Sequence, residues 1–428
     1  MSGVFPQSFT FGVATAAYQV EGHIENDWSE WEQAGRLKDP NQRCGRSVDH
    51  WNLFDQDVQL AKEVGCNAFR VSLEWARIEP NRGQFDENAI AEYHTRLRRM
   101  KATGVRPIVT LHHFTHPKWF HRETPWHEPG SVGVFRRYAK VCAQILRGLD
   151  AIVVTFNEPM VLLLGGYIQG VIPPGIRDGR KAMQALANIA RSHVAAREEI
   201  LAECGRTQMG TTQNVLVFRP DRWWNPLDRA LTRLASENYN YAFLRALTEG
   251  ELRIFMPGLA TTRERIPGAK DSIDFVGLNY YTRAHLRFVT RPPFVDFRYR
   301  DVHKRGLTHI GWEDYPEGFS QMILEAHREF GLPVWITENG IDDREGTRRT
   351  QFLHNHWQQL LDATDKGADV RGYLYWSLMD NFEWLDGWGP RFGLYHVDFD
   401  TLERRPTPAC NYFKRVATER HLFAPDET

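Results

Sequence analysis

Eight short apolar runs recur along this chain, and each is followed by a turn and then by a stretch with helical periodicity. The runs lie at residues 9–14, 68–73, 107–111, 151–156, 209–217, 274–278, 333–337 and 372–376. Several are apolar at consecutive positions, which is typical of strands buried on both faces of a parallel sheet. We predict helices between them at residues 52–64, 88–103, 134–146, 182–202, 230–248, 320–330 and 350–366.

Eight β-then-α units without an intervening linker favour a closed barrel. We expect residues 1–428 to form a single domain, a (β/α)8 TIM barrel with its active site at the C-terminal ends of the strands. A doubly wound sheet is the structural alternative. Such a sheet usually carries a glycine-rich phosphate-binding turn after its first strand, and Gly12-Val13-Ala14 does not fit that turn.

Composition argues against several classes of protein. Lys and Arg total 53 and Asp and Glu total 54, so no basic excess indicates binding to nucleic acid or to an anionic membrane. No apolar run reaches the roughly 18 residues of a membrane span. The five cysteines are far apart, which argues against a disulfide scaffold. Because residues 1–6 lack the features of a signal peptide, we expect a cytoplasmic protein.

Polar and aromatic residues recur at the carboxyl ends of the predicted strands. These residues are Gln19, Glu21, Arg70, Glu74, Trp75, His112, His113, Asn157, Glu158, Asn214, Asn279, Tyr280, Tyr281, Glu338, Asn339, Trp376, Glu383 and Trp384. Chance placement would scatter such residues to both ends of the strands. The pattern therefore predicts a ring of hydrogen-bonding and aromatic groups around a cavity at one end of the barrel.

Two glutamates in this ring stand in similar contexts. Glu158 and Glu338 each follow an apolar run that includes a threonine. Strands four and seven face each other across an eight-stranded barrel, so we expect the two carboxyl groups to face one pocket. Such a pair can divide the roles of acid and nucleophile. A strand-end salt bridge from each glutamate to a helix is the alternative interpretation.

His112 and His113 raise the question of a metal site, which needs three or four converging ligands. The other histidines show no spacing with an acid that resembles a zinc protease. A single histidine that hydrogen-bonds a substrate hydroxyl is the favoured interpretation. The cysteines show no pattern with a histidine, so a thiol nucleophile is not expected. We predict that no metal and no organic cofactor is needed.

Four segments resemble the signature motifs of the family 1 glycoside hydrolases, the β-glucosidase family. Residues 9–22 resemble the amino-terminal signature, residues 155–159 (TFNEP) the acid/base motif and residues 336–340 (ITENG) the nucleophile motif. Residues 376–384 (WSLMDNFEW) resemble the sugar-binding loop. The motifs occur in the family order along almost the whole chain.

The resemblance implies a β-glucosidase-type exo-hydrolase that removes terminal non-reducing β-D-glycosyl residues with retention, as in cellulose degradation. Glu158 would be the acid/base and Glu338 the nucleophile. The expected partner is a small-molecule β-glycoside or oligosaccharide, and an acceptor sugar in place of water would give transglycosylation. The implied substrate-binding residues are Gln19, His113, Asn157, Asn279, Tyr281, Trp312, Trp376, Glu383 and Trp384. Arg70 would support Glu338.

The chain departs from the family pattern at two places. Residues 114–117 read Phe-Thr-His-Pro where many members have Trp-Asp-Leu-Pro, and Glu74 stands where many members have Ser. The chain is also short for the family, which implies trimmed loops around the aglycone. These departures bear on fine specificity and leave the chemistry intact.

Rival functions differ in residues that can be checked. Thioglucosidases carry Gln at the acid/base position, whereas Glu158 is present here. The 6-phosphoglycosidase branch replaces the sugar-loop Glu, whereas Glu383 is present and would repel a phosphate. A carbohydrate-binding or purely structural barrel would not need paired acids. The preferred sugar, the aglycone and the oligomeric state stay open.

Overall fold

Eight parallel strands form the centre of the computed structural model, which describes residues 3–258, 260–291 and 294–427. Residues 1 and 2 of the segment considered for a signal peptide lie outside this range. The barrel strands are β1 (Thr10–Ala14), β2 (Ala68–Ser72), β3 (Arg106–His112), β4 (Ile152–Asn157), β5 (Met209–Pro220), β6 (Phe275–Phe288), β7 (Val334–Asn339) and β8 (Val370–Trp376).

The strands close into a barrel in chain order. β1 pairs with β2 on one side and with β8 on the other, where Thr10 lies opposite Gly372. β6 pairs with both β5 and β7. Because every barrel strand has two parallel neighbours, the predicted TIM barrel is confirmed and the doubly wound sheet is excluded.

Helices surround the barrel. They are Ala17–Glu21, Asp27–Gln33, His50–Glu63, Trp75–Ile78, Glu87–Ala102, Lys118–Glu123, Ser131–Leu146, Pro159–Val161, Gly179–Cys204, Pro226–Ala235, Ala242–Glu249, Pro316–Phe330, Arg349–Asp365 and Pro408–Glu419. π-Helical turns occupy Leu162–Gln169 and Ser236–Tyr241, and 3-10 turns Trp384–Asp386 and Pro425–Glu427. The short outer strands are Glu251–Met256, Ala260–Arg265, Val295–Arg298, Tyr395–Val397 and Arg404–Pro406.

The burial of the strands explains why they were recognisable in the sequence. Every residue of β4 and of β7 is buried, as expected for strands covered by helices outside and by side chains inside the barrel. Asp86 and Asp178 begin two of the outer helices, and their carboxylates accept hydrogen bonds from the first free backbone N–H groups. Gly65, with φ of 84°, supplies a left-handed residue after the helix His50–Glu63.

Two predicted elements are wrong in extent. The sixth strand was predicted at residues 274–278, but β6 continues to Phe288 because its second half pairs with β5 and with Val295–Arg298. The helix predicted at residues 230–248 is two helices joined by the π-helical turn Ser236–Tyr241. Both differences arise from pairing with distant segments, which local periodicity does not encode.

The buried apolar residues form two layers. A small cluster inside the barrel includes Ile108, Ile152, Phe275 and Leu374, which come from different strands. A larger cluster lies between the strands and the surrounding helices. In the described part of the chain, no helix has the length and apolar character that crossing a membrane requires.

Candidate active site

Glu158 and Glu338 lie at the carboxyl ends of β4 and β7. Glu158 adopts a left-handed backbone with φ of 49°, and its N–H donates to the carbonyl of Thr212 at 2.8 Å. A Cβ at Gly340 would lie 1.8 Å from the Trp376 carbonyl oxygen, so no larger residue fits there without movement. Contacts with the neighbouring strands β5 and β8 therefore fix the backbone at the two strand ends.

Glu338 lies beside a cation. The Arg70 guanidinium donates to Glu338 Oε1 at 2.6 Å, and the Tyr281 hydroxyl donates to Oε2 at 2.6 Å. Both Glu338 and Arg70 are buried, with side-chain exposures of 5% and 0%. Burial raises the pKa of Glu338, and the charge of Arg70 and the Tyr281 hydrogen bond oppose that rise.

Glu158 has amide neighbours and no ion pair in the described structure. Its Oε1 accepts hydrogen bonds from Asn279 Nδ2 at 2.7 Å and from Asn214 Nδ2 at 3.3 Å. Burial, followed by the negative charge of Glu338, raises the pKa of Glu158 to about 8. Within the pair, Glu158 therefore retains a proton near neutral pH, whereas Arg70 favours the ionised form of Glu338.

A hydrogen-bond network joins the two carboxyl groups. Arg70 donates to Asn157 Oδ1 at 2.7 Å, and Asn279 Nδ2 donates to the same oxygen at 3.2 Å. The Thr337 hydroxyl donates to Asn279 Oδ1 at 2.7 Å, which fixes the orientation of that amide. Arg70, Asn157 and Asn279 thus form a continuous chain of hydrogen bonds from Glu338 to Glu158.

Gln19 and His113 present unpaired polar atoms in the same region. Gln19 Nε2 donates to Asn381 Oδ1 and to the Phe382 carbonyl, and its buried Oε1 has no partner among the described residues. The Nε2 atom of His113 lies 3.2 Å from Asn157 Nδ2, and its Nδ1 is likewise unpaired. Burial holds the pKa of His113 well below its usual range, so the ring is neutral.

Aromatic rings surround His113. The Trp376 and Trp384 rings each lie 6.0 Å from the His113 ring, at interplanar angles of 23° and 14°. Trp376 Nε1 donates to Glu383 Oε1 at 3.1 Å. Burial raises the pKa of Glu383, and this hydrogen bond opposes the rise. Flat apolar faces and a carboxyl group therefore occupy adjacent positions beside His113.

Trp312 packs against Tyr281, the residue that donates a hydrogen bond to Glu338. Its ring centroid is 5.3 Å from that of Tyr281 and 6.3 Å from that of Phe392. Both Trp312 and Tyr281 are half-buried. Because Tyr281 contacts Glu338, Trp312 extends the aromatic surface outward from the carboxyl pair.

Six residues of the predicted ring make their contacts outside this network: Glu21, Glu74, Trp75, His112, Tyr280 and Asn339. Glu21 pairs with Arg77 at 3.0 Å, and Glu74 accepts a hydrogen bond from the Thr115 hydroxyl at 2.9 Å. The Trp75 ring packs in the core beside the barrel. Arg77, the partner of Glu21, lies on the helix Trp75–Ile78.

The sequence analysis assigns no role to Asn214, Tyr239 or Thr110, which belong to the network. Asn214 was placed in the ring without a role, yet it donates to Glu158. The Tyr239 hydroxyl donates to Asn214 Oδ1 at 2.8 Å, and the Thr110 hydroxyl accepts from Arg70 Nε at 3.0 Å. The strand-end position of Asn214 was a usable signal. Tyr239 gave none, because it lies in a π-helical turn that local pattern does not reveal.

Within residues 3–258, 260–291 and 294–427, no three His, Cys, Asp or Glu side chains form a group that could hold a metal ion. His112 packs against the His116 ring at 5.9 Å. Burial lowers the pKa of His112 to about 3, so it is a neutral buried ring. A reaction without a cofactor stays a prediction.

The sequence of this chain is similar to those of known proteins. The family model for glycosyl hydrolase family 1 matches residues 1–422. The chain belongs to glycosyl hydrolase family 1. Beta-glucosidase 47 of Arabidopsis thaliana is 32% identical over 99% of this chain and 86% of its own length. Beta-glucosidase A of Thermotoga maritima is 30% identical over 98% of each.

Solved structures of this glycosyl hydrolase family share the fold. The beta-glycosidase from Pyrococcus horikoshii has a TM-score of 0.91 at 35% identity, with 99% of this chain and 97% of that chain covered. A Thermotoga maritima beta-glucosidase in complex with glucoimidazole has a TM-score of 0.89 at 27% identity, with 98% and 100% covered. This family 1 hydrolase is an enzyme of the β-glucosidase type.

Proposed function

We propose that this enzyme is an exo-acting β-glycosidase that removes terminal non-reducing β-D-glycosyl residues with retention of configuration, and that the whole chain serves as one catalytic domain. The observation that carries the proposal is the unequal carboxyl pair. Glu338 contacts a guanidinium at 2.6 Å, whereas Glu158 contacts neutral amides. A retaining glycosidase needs one ionised and one protonated carboxyl group in a single pocket.

In the first step, Glu338 attacks the anomeric carbon while Glu158 protonates the leaving oxygen. A pKa of about 8 keeps the proton on Glu158 near neutral pH. Arg70 and Tyr281 hold Glu338 ionised and oriented for attack. Retention requires the carboxyl groups to be roughly 5–5.5 Å apart, so that no water fits between Glu338 and the sugar.

In the second step, water attacks the glycosyl ester on Glu338. The negative charge of Glu338 is absent from this ester, so one cause of the raised pKa of Glu158 is removed. Glu158 then loses its proton readily and acts as the base that activates water. An acceptor sugar at the position of that water would give transglycosylation.

The terminal sugar would occupy the cavity lined by Gln19, His113, Asn157, Glu383 and Trp384. Neutral amides and a neutral imidazole suit hydroxyl groups, which both donate and accept hydrogen bonds. The unpaired Gln19 Oε1 and His113 Nδ1 support this assignment, because buried polar atoms normally find a partner. Trp376 would face the apolar side of the sugar ring, and Trp312 would contact the aglycone.

NMR of the first-formed sugar tests the mechanism. A nitrophenyl β-glucoside should release the β-anomer first, with the α-anomer appearing only through mutarotation. An α-anomer that appears first would show inversion and would exclude Glu338 as nucleophile. A kinetic panel of nitrophenyl β-glycosides then identifies the preferred sugar, including glucose, galactose and fucose.

A further inference from the structure

An open surface cavity of about 580 Å³ lies outside the barrel, between the helices that follow β5 and the helix Pro316–Phe330, and Arg229, Arg233 and Arg328 are exposed at its wall. The end of β5 and the π-helical turn Ser236–Tyr241 contribute to its wall. None of the candidate active-site residues lines it. Its basic side chains are Arg219, Arg229, Arg233, Arg245 and Arg328.

The acidic side chains of the wall neutralise one of these arginines. Arg245 pairs with Glu237 and with Glu329, at 2.6 Å each. Glu325, the third acid of the wall, accepts a hydrogen bond from the Tyr241 hydroxyl. Glu237 and Glu329 are therefore paired with Arg245, whereas Glu325 adds one negative charge to the wall.

The other arginines lack a carboxylate partner in the described structure. Arg219 donates to the neutral amide oxygen of Gln321 at 2.9 Å. Arg229, Arg233 and Arg328 make no side-chain hydrogen bond or ion pair that the described residues contain. The cavity therefore has an excess of positive charge, and an anion would reduce the repulsion among these groups.

The spacing of the arginines suits a phosphate group. Arg229 and Arg233 are four residues apart on the helix Pro226–Ala235, so they project from the same helix face. Guanidinium groups bind phosphate oxygens through paired hydrogen bonds. Thr232 and Ser236 add hydroxyl groups to the same wall. The volume lies in the range of pockets that hold small molecules.

We propose that this cavity binds a small polyanion that carries a phosphate or pyrophosphate group. The site is separate from the glycoside-binding cavity and does not depend on the proposed reaction. Arg229 and Arg233 contact the anion from one helix, and Arg328 contacts it from the facing helix.

Calorimetric titration of the full-length protein with inorganic pyrophosphate, at constant ionic strength, tests the site. We expect saturable binding at one site per chain, weakened about tenfold or more in Arg229→Gln/Arg233→Gln because two charge-assisted contacts are lost. Arg328→Gln should weaken binding independently. The control Arg98→Gln/Arg206→Gln removes the same charge from exposed positions outside the cavity and should bind as wild type.

Three outcomes would overturn the proposal. Wild type could show no saturable heat, or sodium sulfate at the same ionic strength could give the same signal. The control variant could lose as much affinity as the cavity variant, which would indicate a general charge effect. A thermal unfolding curve for each variant shows that the compared proteins are folded. Hydrolysis of a nitrophenyl β-glucoside by the cavity variants should stay within about twofold of wild type, because these residues lie outside the candidate site.

Discussion

Glu158 and Glu338 are both glutamates, but their neighbours favour different protonation states of the two carboxyl groups. Because the proposed reaction needs Glu158 protonated and Glu338 ionised, kcat/KM should fall on the alkaline side as pH rises through about 8, and protonation of Glu338 should lower it on the acid side. The measurement is a pH profile of kcat/KM for a β-glycoside with a poor leaving group. A rate that rises through this range would contradict the role of Glu158.

Replacement of Asn214 tests whether Glu158 is the group that titrates in the alkaline limb of the pH profile. Its amide donates to Glu158 Oε1 and so stabilises the ionised carboxylate, which lowers the pKa. Removal of this hydrogen bond in Asn214→Ala should move the alkaline limb to higher pH. A limb that moves to lower pH, or disappears, would show that another group titrates there.

The two glutamates should also respond differently to truncation. Glu338→Ala removes the proposed nucleophile and should lower kcat by a factor of about 1,000 or more, with partial rescue by azide to give the α-glycosyl azide. Glu158→Ala should impair poor leaving groups far more than a nitrophenolate, which hardly needs a proton, and azide should then give the β-product. NMR of the azide adducts distinguishes the roles, and equal products from both variants would contradict them.

Glu383 should govern recognition of the terminal sugar. Its carboxylate is held by Trp376 Nε1, and we expect it to accept hydrogen bonds from sugar hydroxyls. Glu383→Ala should lower kcat/KM at least tenfold, on the order of 1.4 kcal/mol or more, without a change in the alkaline limb. A wild-type preference for a 6-phosphorylated substrate would contradict this role.

The turn after β3 shows how an element can depend on one buried contact. Thr115 donates to Glu74, which is fully buried and whose pKa burial raises to about 7. Thr115→Val should destabilise the fold by about 1–3 kcal/mol. The loss should be greatest above pH 7, because the hydroxyl stabilises the ionised carboxylate and matters less once Glu74 is protonated.

Thr124 supplies the matched control for that change. It is also a buried threonine, at the end of the helix Lys118–Glu123, but its hydroxyl has no hydrogen-bond partner among the described residues. Thr124→Val should therefore leave the free energy of unfolding within about 0.5 kcal/mol of wild type. Denaturant titrations at pH 6 and pH 8 compare the two variants, and equal losses would show that the Thr115 contact has no special role.

At the scale of elements, local pattern located the barrel strands, because burial on both faces leaves a continuous apolar signal. It also located the long helices between the strands, but neither the short helices nor Pro408–Glu419. It did not locate the π-helical turn Ser236–Tyr241. There Asn238 donates to the carbonyl of Phe255 at 2.8 Å, and Asn240 donates to that of Leu216 at 2.9 Å. Such contacts with distant backbone are decided by the tertiary fold. Tyr239, which orients Asn214, could therefore not be found from the sequence.

At the scale of the whole molecule, the closed barrel is what brings distant residues to one site. Arg70 and Glu338 are 268 positions apart and lie in hydrogen-bond contact. The resemblance to the family motifs implied their contact. The sequence did not predict the hydrogen bonds through which Asn157 and Asn279 connect the two glutamates, because side-chain orientation depends on contacts across the barrel.

The packing of the helix Arg349–Asp365 against β1 and against the helix Pro408–Glu419 should contribute stability without contributing to catalysis. Trp357 is fully buried there, and its ring lies 5.6 Å from that of Phe11 and 5.3 Å from that of Phe413. Phe11 belongs to the first strand and Phe413 to the last long helix, so this contact joins the two ends of the chain. Trp357→Ala should cost about 3–5 kcal/mol and lower the midpoint of thermal unfolding.

Well below that midpoint, kcat/KM of Trp357→Ala should match wild type, because Trp357 contacts none of the candidate site residues. Trp224→Ala is the control, since Trp224 is 63% exposed and its loss should leave the midpoint nearly unchanged. If Trp357→Ala fails to fold, Trp357→Phe leaves a smaller cavity and permits the same comparison. A folded variant with normal stability and reduced kcat/KM would contradict this separation, because it would couple the packing around Trp357 to the site.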